Sequence, residues 1–406
     1  MMTNRRGFLA GAAGGFFAYA LRNGGGDLFA QAAPARAKRC LVLWMDGGPS
    51  QIDTFDPKPG EETGGDFKAI GTAVPGLRIG EPLPQIARRM DKLSVIRSIR
   101  SSEGDHLRGQ YLLHTGFPLV EGFGRPAAGA VVSKETPEAK FPKYVTLGAP
   151  GFGPAFLGPA HAPFAIEEIP KALATFRALA GRRERIRLSR ELDREFDAAH
   201  PSPALDGRGE TVRKIEELLD TPFVRALDLE REPARERGRY GPHPFGQRCL
   251  AARRLLEAGA TFVEVHLDGW DTHVENFARV GELCGVLDGP WAALVDDLDA
   301  KGLLAETVLL WMGEFGRTPG INARRGRDHY PRVTCAVVGG GGIPGGRIVG
   351  ETDRLGTSVV KDPVTVPDLF ATLFAAFGID PARRFRTEFG GTATLTDGGR
   401  PIRALA

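Results

Sequence analysis

The stretch "HLDGWDTHVENF", residues 266–277, places Asp268, Asp271 and His273 directly after an apolar run. Carboxylate and imidazole ligands at this density suit zinc or manganese. A polar loop that caps a helix explains the same residues without any metal. Four further positions raise the same question. Asp46 closes the run "CLVLWMD", Glu314 follows "TVLLWMG", His329 sits in "GRDHYPR", and His106 opens "HLRGQYLLHTG". A lone aspartate at a strand end is ordinarily a turn or cap residue, so only convergence in space separates the two readings. Arg317, close after Glu314, has the fork geometry to clamp a phosphate or sulfate. Asp328 is read as the group that orients His329. Ser50 in "DGGPSQ" is read as a turn serine, and His114, His161, His200 and His243 carry no partner signal.

The elements that must carry these residues alternate. Apolar runs read as buried strands at "CLVLWM", "KLSVIRSI", "KYVTLG", "ATFVEVHL", "ETVLLWM" and "VTCAVV". Helical spacing appears in "HLRGQYLLHTG", "FGQRCLAARRLLEAG", "PWAALVDDLDAKGLL" and "TVPDLFATLFAAFGI". Strands alternating with helices predict an α/β fold with a mostly parallel sheet covered on both faces. Ligands in such sheets bind beyond the carboxyl ends of the strands, which would bring Asp46, Asp268, Asp271, His273 and Glu314 to one rim. Residues 169–240 are densely charged with helical periodicity and almost no strand signal, and predict a helical insert at the sheet edge with a solvated charged face. "VVGGGGIPGGR" lacks a Walker lysine and reads as a turn.

The chain of 406 residues is 42% hydrophobic and 25% charged, with a formal charge of +3, an ordinary globular composition without the basic excess of a nucleic-acid binder. Residues 1–32 read as an export signal. Paired Arg5 and Arg6 precede a short apolar stretch, and Ala30 and Ala32 offer a peptidase site, so the mature chain is expected to start near Ala33. The pair resembles the twin-arginine signal, which exports folded proteins to the periplasm or cell envelope. No later segment is apolar enough to cross a membrane. Cys40, Cys249, Cys284 and Cys335 have no paired spacing and are read as four buried thiols.

Two long passages, "LDAKGLLAETVLLWMGEFGRTP" and the one from "RVTCAVVGGGGIPGG" to "DLFATLFAAFGID", resemble sulfatases and phosphodiesterases of the alkaline phosphatase superfamily. "WMDGGPSQIDTFDPKPG", "EGDHLRGQYLLHTG", "PFGQRCLAARRLLEAGATFVEVHLDGWDTH", "GEFGRTP" and "GRDHYPR" together resemble a narrower family of exported bacterial proteins, catalogued as domain of unknown function fifteen-oh-one. The resemblance spans residues 38–406. It implies a three-layer alkaline phosphatase-like sandwich with one or two divalent metals, zinc, manganese or calcium, on the sheet rim. It also implies that Asp46, Asp268, Asp271, His273, Glu314 and His329 are ligands in a hydrolase of small-molecule or glycan phosphate or sulfate esters. Three departures stand out. Phe315 replaces the second ligand expected after Glu314, His273 lies five residues after Asp268 and two after Asp271 where the superfamily spacing is four, and the position of the superfamily's hydroxyl or thiol nucleophile falls on His106. His106 is then a substitute ligand, a nucleophile or a structural residue. An exported binding or scaffold protein that has lost turnover is the competing expectation.

Overall fold

The computed structural model describes residues 36–186, 188, 216–387 and 390–406; the export signal read at residues 1–32 lies outside them. Nine strands form the central sheet: β1 (Arg39–Met45), β2 (Leu93–Arg100), β3 (Tyr144–Leu147), β4 (Phe164–Ile166), β5 (Phe262–Leu267), β6 (Thr307–Met312), β7 (Thr334–Gly339), β8 (Ile348–Val349) and β9 (Val364–Thr365). Their order is β8-β2-β7-β6-β1-β5-β3-β4, with β9 also paired to β2. Every pairing is parallel except those of β7, which runs antiparallel to both β2 and β6. The expected mostly parallel sheet is present, with one reversed strand inside it.

Strands β5 and β6 are buried at every position and β1 at all but Arg39, because helices cover both faces. Along β1 the period of two divides the side chains. Leu41, Leu43 and Met45 enter one core with α5 (Pro244–Ala258) and α6 (Asn276–Ala300). Val42 and Trp44 enter the other with α1 (His106–Thr115), α2 (Ala128–Glu135) and α7 (Val366–Ala376). These are the three layers. Helix α1 starts on an Asp105 cap and stops at Gly116, which has φ +79°; α7 starts on a reciprocal Thr365–Asp368 cap.

Sequence periodicity starts a helix at Pro290, but α6 begins at Asn276 and passes through that proline. A proline there removes one helix hydrogen bond, yet Leu287, Trp291 and Leu294 on either side are buried and their packing holds the helix together. Within 169–240 the described residues form helices α3 (Ile169–Ala180) and α4 (Pro222–Leu227), a further helix Ala234–Arg239 and no strand; residues 187 and 189–215 of that span lie outside the description. Phe176 of α3 and Phe223 of α4 meet Phe164 of edge strand β4, with ring centroids 6.3 and 5.4 Å away. Not all of the charge here is solvated, since Glu232 pairs with buried Arg253 at 2.8 Å. The four cysteines are free and buried. Among the described residues no helix is long and apolar enough to cross a membrane.

Candidate metal centre

Strands β1, β5 and β6 are parallel neighbours, so Asp46, Asp268 and Glu314 all emerge on one rim. The loop after β5 is pinned by Trp270, fully buried, whose backbone N–H donates to the Asp46 carbonyl at 3.0 Å. That turn brings Asp271 over the Asp46–Gly48 loop so tightly that a Cβ on Gly47, at φ +109°, would lie 2.4 Å from the Asp271 nitrogen. His329 arrives on a two-residue strand, His329–Tyr330, paired antiparallel with Gly316–Arg317. His106 is the first residue of α1, and Gly109 one turn on lets that helix sit against Glu314 and Phe315.

The Asp271 carboxylate is the hub. Its Oδ1 lies 3.1 Å from His273 Nε2, 3.3 Å from His329 Nε2 and 3.5 Å from His106 Nε2, and accepts from Arg317 Nη2 at 2.7 Å. The nitrogens behind these contacts are committed. His329 Nδ1 donates to the Gly104 carbonyl at 2.7 Å, and His273 Nδ1 to Asp328 Oδ1 at 2.6 Å. With those protons fixed on Nδ1, the Nε2 atoms of neutral His273 and His329 present lone pairs to each other across 3.0 Å. Two lone pairs at that distance repel unless a proton or a cation lies between them. Burial, together with Arg317 and His106 nearby, holds the His329 pKa below its usual value despite the Gly104 contact.

Glu314 completes the group. It is fully buried, and its Oε1 accepts from Gly47 N at 2.8 Å and meets His106 Nδ1 at 2.9 Å. Its Oε2 is buried with no hydrogen-bond partner. A carboxylate oxygen left so is costly, and a coordinated cation would satisfy it. The hydrogen bond to Glu314 raises the His106 pKa. Burial would raise that of Asp271, but the Arg317 hydrogen bond and charge outweigh it and lower the value.

The structure thus brings together His106, Asp271, His273, Glu314 and His329. Asp46 and Asp268 are placed elsewhere. Asp46 continues the even-numbered series of β1 and turns to His266, whose Nδ1 is 2.7 Å from its Oδ2, while Trp44 Nε1 donates to Oδ1 at 2.8 Å. Asp268 is exposed and lines a different cavity. Arg317, expected as a substrate clamp, is a fully buried brace. Its guanidinium donates to the carbonyls of Gly47, Gly48 and Arg327 and to Asp271, tying the loop after β1 to the hub. Asp328 orients His273 and not His329, because the latter's Nδ1 already has Gly104. Phe315 supplies no ligand; its ring lies against His106 and His329, at centroid distances of 5.1 and 4.6 Å.

Sequence reasoning missed a second, wholly buried set below the rim. His266 Nε2 is 2.7 Å from Glu264 Oε1, and His114 Nε2 is 3.1 Å from the same oxygen. Burial would lower the His266 pKa, but the hydrogen bonds to Asp46 and Glu264 outweigh it and hold it up at about 9. Burial likewise would raise Glu264, yet the two histidines keep it well below the usual carboxylate range. The spacing of Glu264 and His266 along one strand, which puts both on the same face, was the available signal.

Comparison with solved structures finds remote likenesses. The chain is similar to the lipoteichoic acid synthase LtaP from Listeria monocytogenes, at 9% identity and TM-score 0.40 over 93% of this chain and 76% of that one. It is also similar to the PsFucS1 sulfatase from Pseudoalteromonas sp., at 13% and 0.42 over 91% and 74%. A protein in the alkaline phosphatase superfamily from Vibrio parahaemolyticus gives 13% and 0.37 over 87% and 71%. No curated protein matches the chain. The sequence profile of one family, described as protein of unknown function (DUF1501), matches residues 37–406, and the chain belongs to that family, as its motifs implied.

Proposed function

We propose that the chain is a metal-dependent hydrolase of phosphate or sulfate esters, exported through the twin-arginine pathway to the cell envelope. One observation carries the reading: the facing Nε2 atoms of His273 and His329 beside Asp271, next to His106, which Glu314 holds through Oε1 while its own Oε2 is buried without a partner. His106, Asp271, His273, Glu314 and His329 would hold the ion. Three imidazoles favour zinc or manganese over calcium, which takes oxygen ligands. When bound, such an ion polarises an ester oxygen and acidifies water near neutral pH.

The chain's own residues have defined tasks. Asp328 fixes the tautomer of His273, and the Gly104 carbonyl fixes that of His329. Arg317 holds Asp271 and the loop after β1 in register. Glu314 holds the proton of His106 on Nδ1, which leaves Nε2, 3.5 Å from Asp271, as the ligand atom and leaves the attack on the ester to water. Ser50, buried and accepting from Asp53 N, is a turn residue. The burial of Arg317 favours one second reading, a metal-holding protein without turnover, because it takes away the cation expected to clamp the ester.

Elemental analysis of protein purified without added metal, followed by a panel of phosphate and sulfate mono- and diesters with and without chelator, tests this. Bound zinc or manganese and chelator-sensitive hydrolysis are expected. Metal without hydrolysis selects the second reading, and a folded chain that takes up neither metal removes both.

A further inference from the structure

The buried set beneath the rim has the build of a second ion site. His266 Nδ1 donates to Asp46 Oδ2 and His114 Nδ1 to the Gln110 carbonyl, each at 2.7 Å. An imidazole whose one nitrogen donates to a carboxylate or carbonyl is held with its other nitrogen as the ligand atom. Here those other nitrogens, His266 Nε2 and His114 Nε2, converge on Glu264 Oε1 at 2.7 and 3.1 Å. All three side chains are buried, so bulk water takes no part. Asp46 and Glu264 bring two negative charges to the set. Either an extra proton on each imidazole or one divalent cation balances them.

Two further observations distinguish the proton from the cation. A void of 10 Å³ lies against His114, Glu264 and Tyr144, walled otherwise by apolar side chains such as Val42, Leu113 and Phe370. That is room for about one water. The hydroxyls of Tyr144 and Thr146 are also buried with no hydrogen-bond partner. Thr146 is the cross-strand neighbour of Glu264 on β3. Its side chain and the Tyr144 hydroxyl meet at Gly151, where a Cβ would lie 2.5 Å from Thr146 Cγ2 and 3.4 Å from Tyr144 Oη. Protons on the imidazoles would leave the void and both hydroxyls unserved, at a cost. An ion takes the two imidazoles and Glu264 as ligands, and an oxygen ligand in the void completes four beside the hydroxyls.

We propose that His114, Glu264 and His266 hold a structural zinc ion inside the fold, separate from the rim centre. Two imidazoles and one carboxylate are a zinc-binding set. No rim loop contributes a ligand atom, since Glu264 and His266 lie within β5 and His114 in the last turn of α1. The ion pins α1, which carries His106 at its other end, to the sheet. The site rests neither on the hydrolase reading nor on a filled rim centre.

Anomalous diffraction at the zinc edge, from crystals of the zinc-loaded chain, reads the site without any variant. A peak between His114 Nε2, Glu264 and His266 Nε2 is expected. Zinc stoichiometry after exhaustive dialysis gives a second measurement. The double variant His273→Ala/His329→Ala, which disables the rim centre, should retain one equivalent, and adding Glu264→Gln should remove it. Density in the void without anomalous signal is a water and overturns the proposal, as does a double variant that retains no zinc. An inner peak in a chain whose rim stays empty retains this site and removes the rim-metal reading.

Discussion

Glu314→Gln separates a metal ligand from a structural carboxylate by the sign and condition of its effect. The amide keeps Oε1, which accepts from Gly47 N at 2.8 Å and meets His106 Nδ1 at 2.9 Å. It replaces the unpartnered Oε2 with NH₂ and removes the buried charge. In metal-stripped protein two terms oppose each other. Weakening the charged contact with His106 costs about 1.5–3 kcal/mol, and removing a buried, uncompensated charge returns about 1–3 kcal/mol, so the two largely offset and the net change stays within roughly 2 kcal/mol. Metal-loaded protein behaves differently. Ligand at 100 times its Kd stabilises the native state by about 2.7 kcal/mol, and a tenfold or greater loss of affinity takes away about 1.4 kcal/mol or more of that. Urea melts of both chains in chelator and in zinc or manganese measure all four states. The variant should match the wild type in chelator and fall behind it once metal is present. Equal destabilisation in both conditions, or a wild-type midpoint that metal does not move, would refute the reasoning.

His273→Ala should lower bound metal and any ester hydrolysis together, and Asp328→Asn, one bond behind it, should weaken metal affinity by about 10–100-fold; metal titration with matched kinetics reads both. The His266 pKa is raised to about 9, so its contribution to stability is complete below its ordinary value and drains away as pH climbs through about 9. By the size of that shift the wild type should lose up to roughly 3 kcal/mol between neutral and strongly alkaline pH, and His266→Gln should flatten the loss in urea melts taken across the range. Replacing Arg5 and Arg6 with lysine should trap precursor inside the cell, and undiminished export on immunoblots of cell fractions would remove the twin-arginine assignment.

The strands that carry the rim were legible because burial on both faces turns them into uninterrupted apolar runs, as in "TVLLWM" and "FVEVHL". Their polar ends followed, and His106, Asp271, His273, Glu314 and His329 do converge. The direction of Asp46 was not legible. Its parity along β1 follows from the sequence, but its neighbour depends on strand order, which sets Trp44 opposite His266 and so turns Asp46 toward that imidazole. For Arg317 residue type suggested a clamp, whereas its role is decided by carbonyls of a loop distant in sequence. Strands β4, β8 and β9, of two or three residues, are too short to show a period at all.

The reversal of β7 determines how the rim is built. A parallel successor to β6 would send the chain across the back of the sheet to start again at the far end. Antiparallel β7 instead starts on the rim where β6 finishes, so residues 313–333 never leave it. Glu314, Arg317, Asp328 and His329 are all carried by that one excursion, and its middle, residues 320–325, is mostly exposed. Residues can be gained or lost there without shifting the register of any strand. Variation in this loop is where members of such a fold could diverge in what they admit, while Glu314 and His329 at its two ends stay anchored to the sheet.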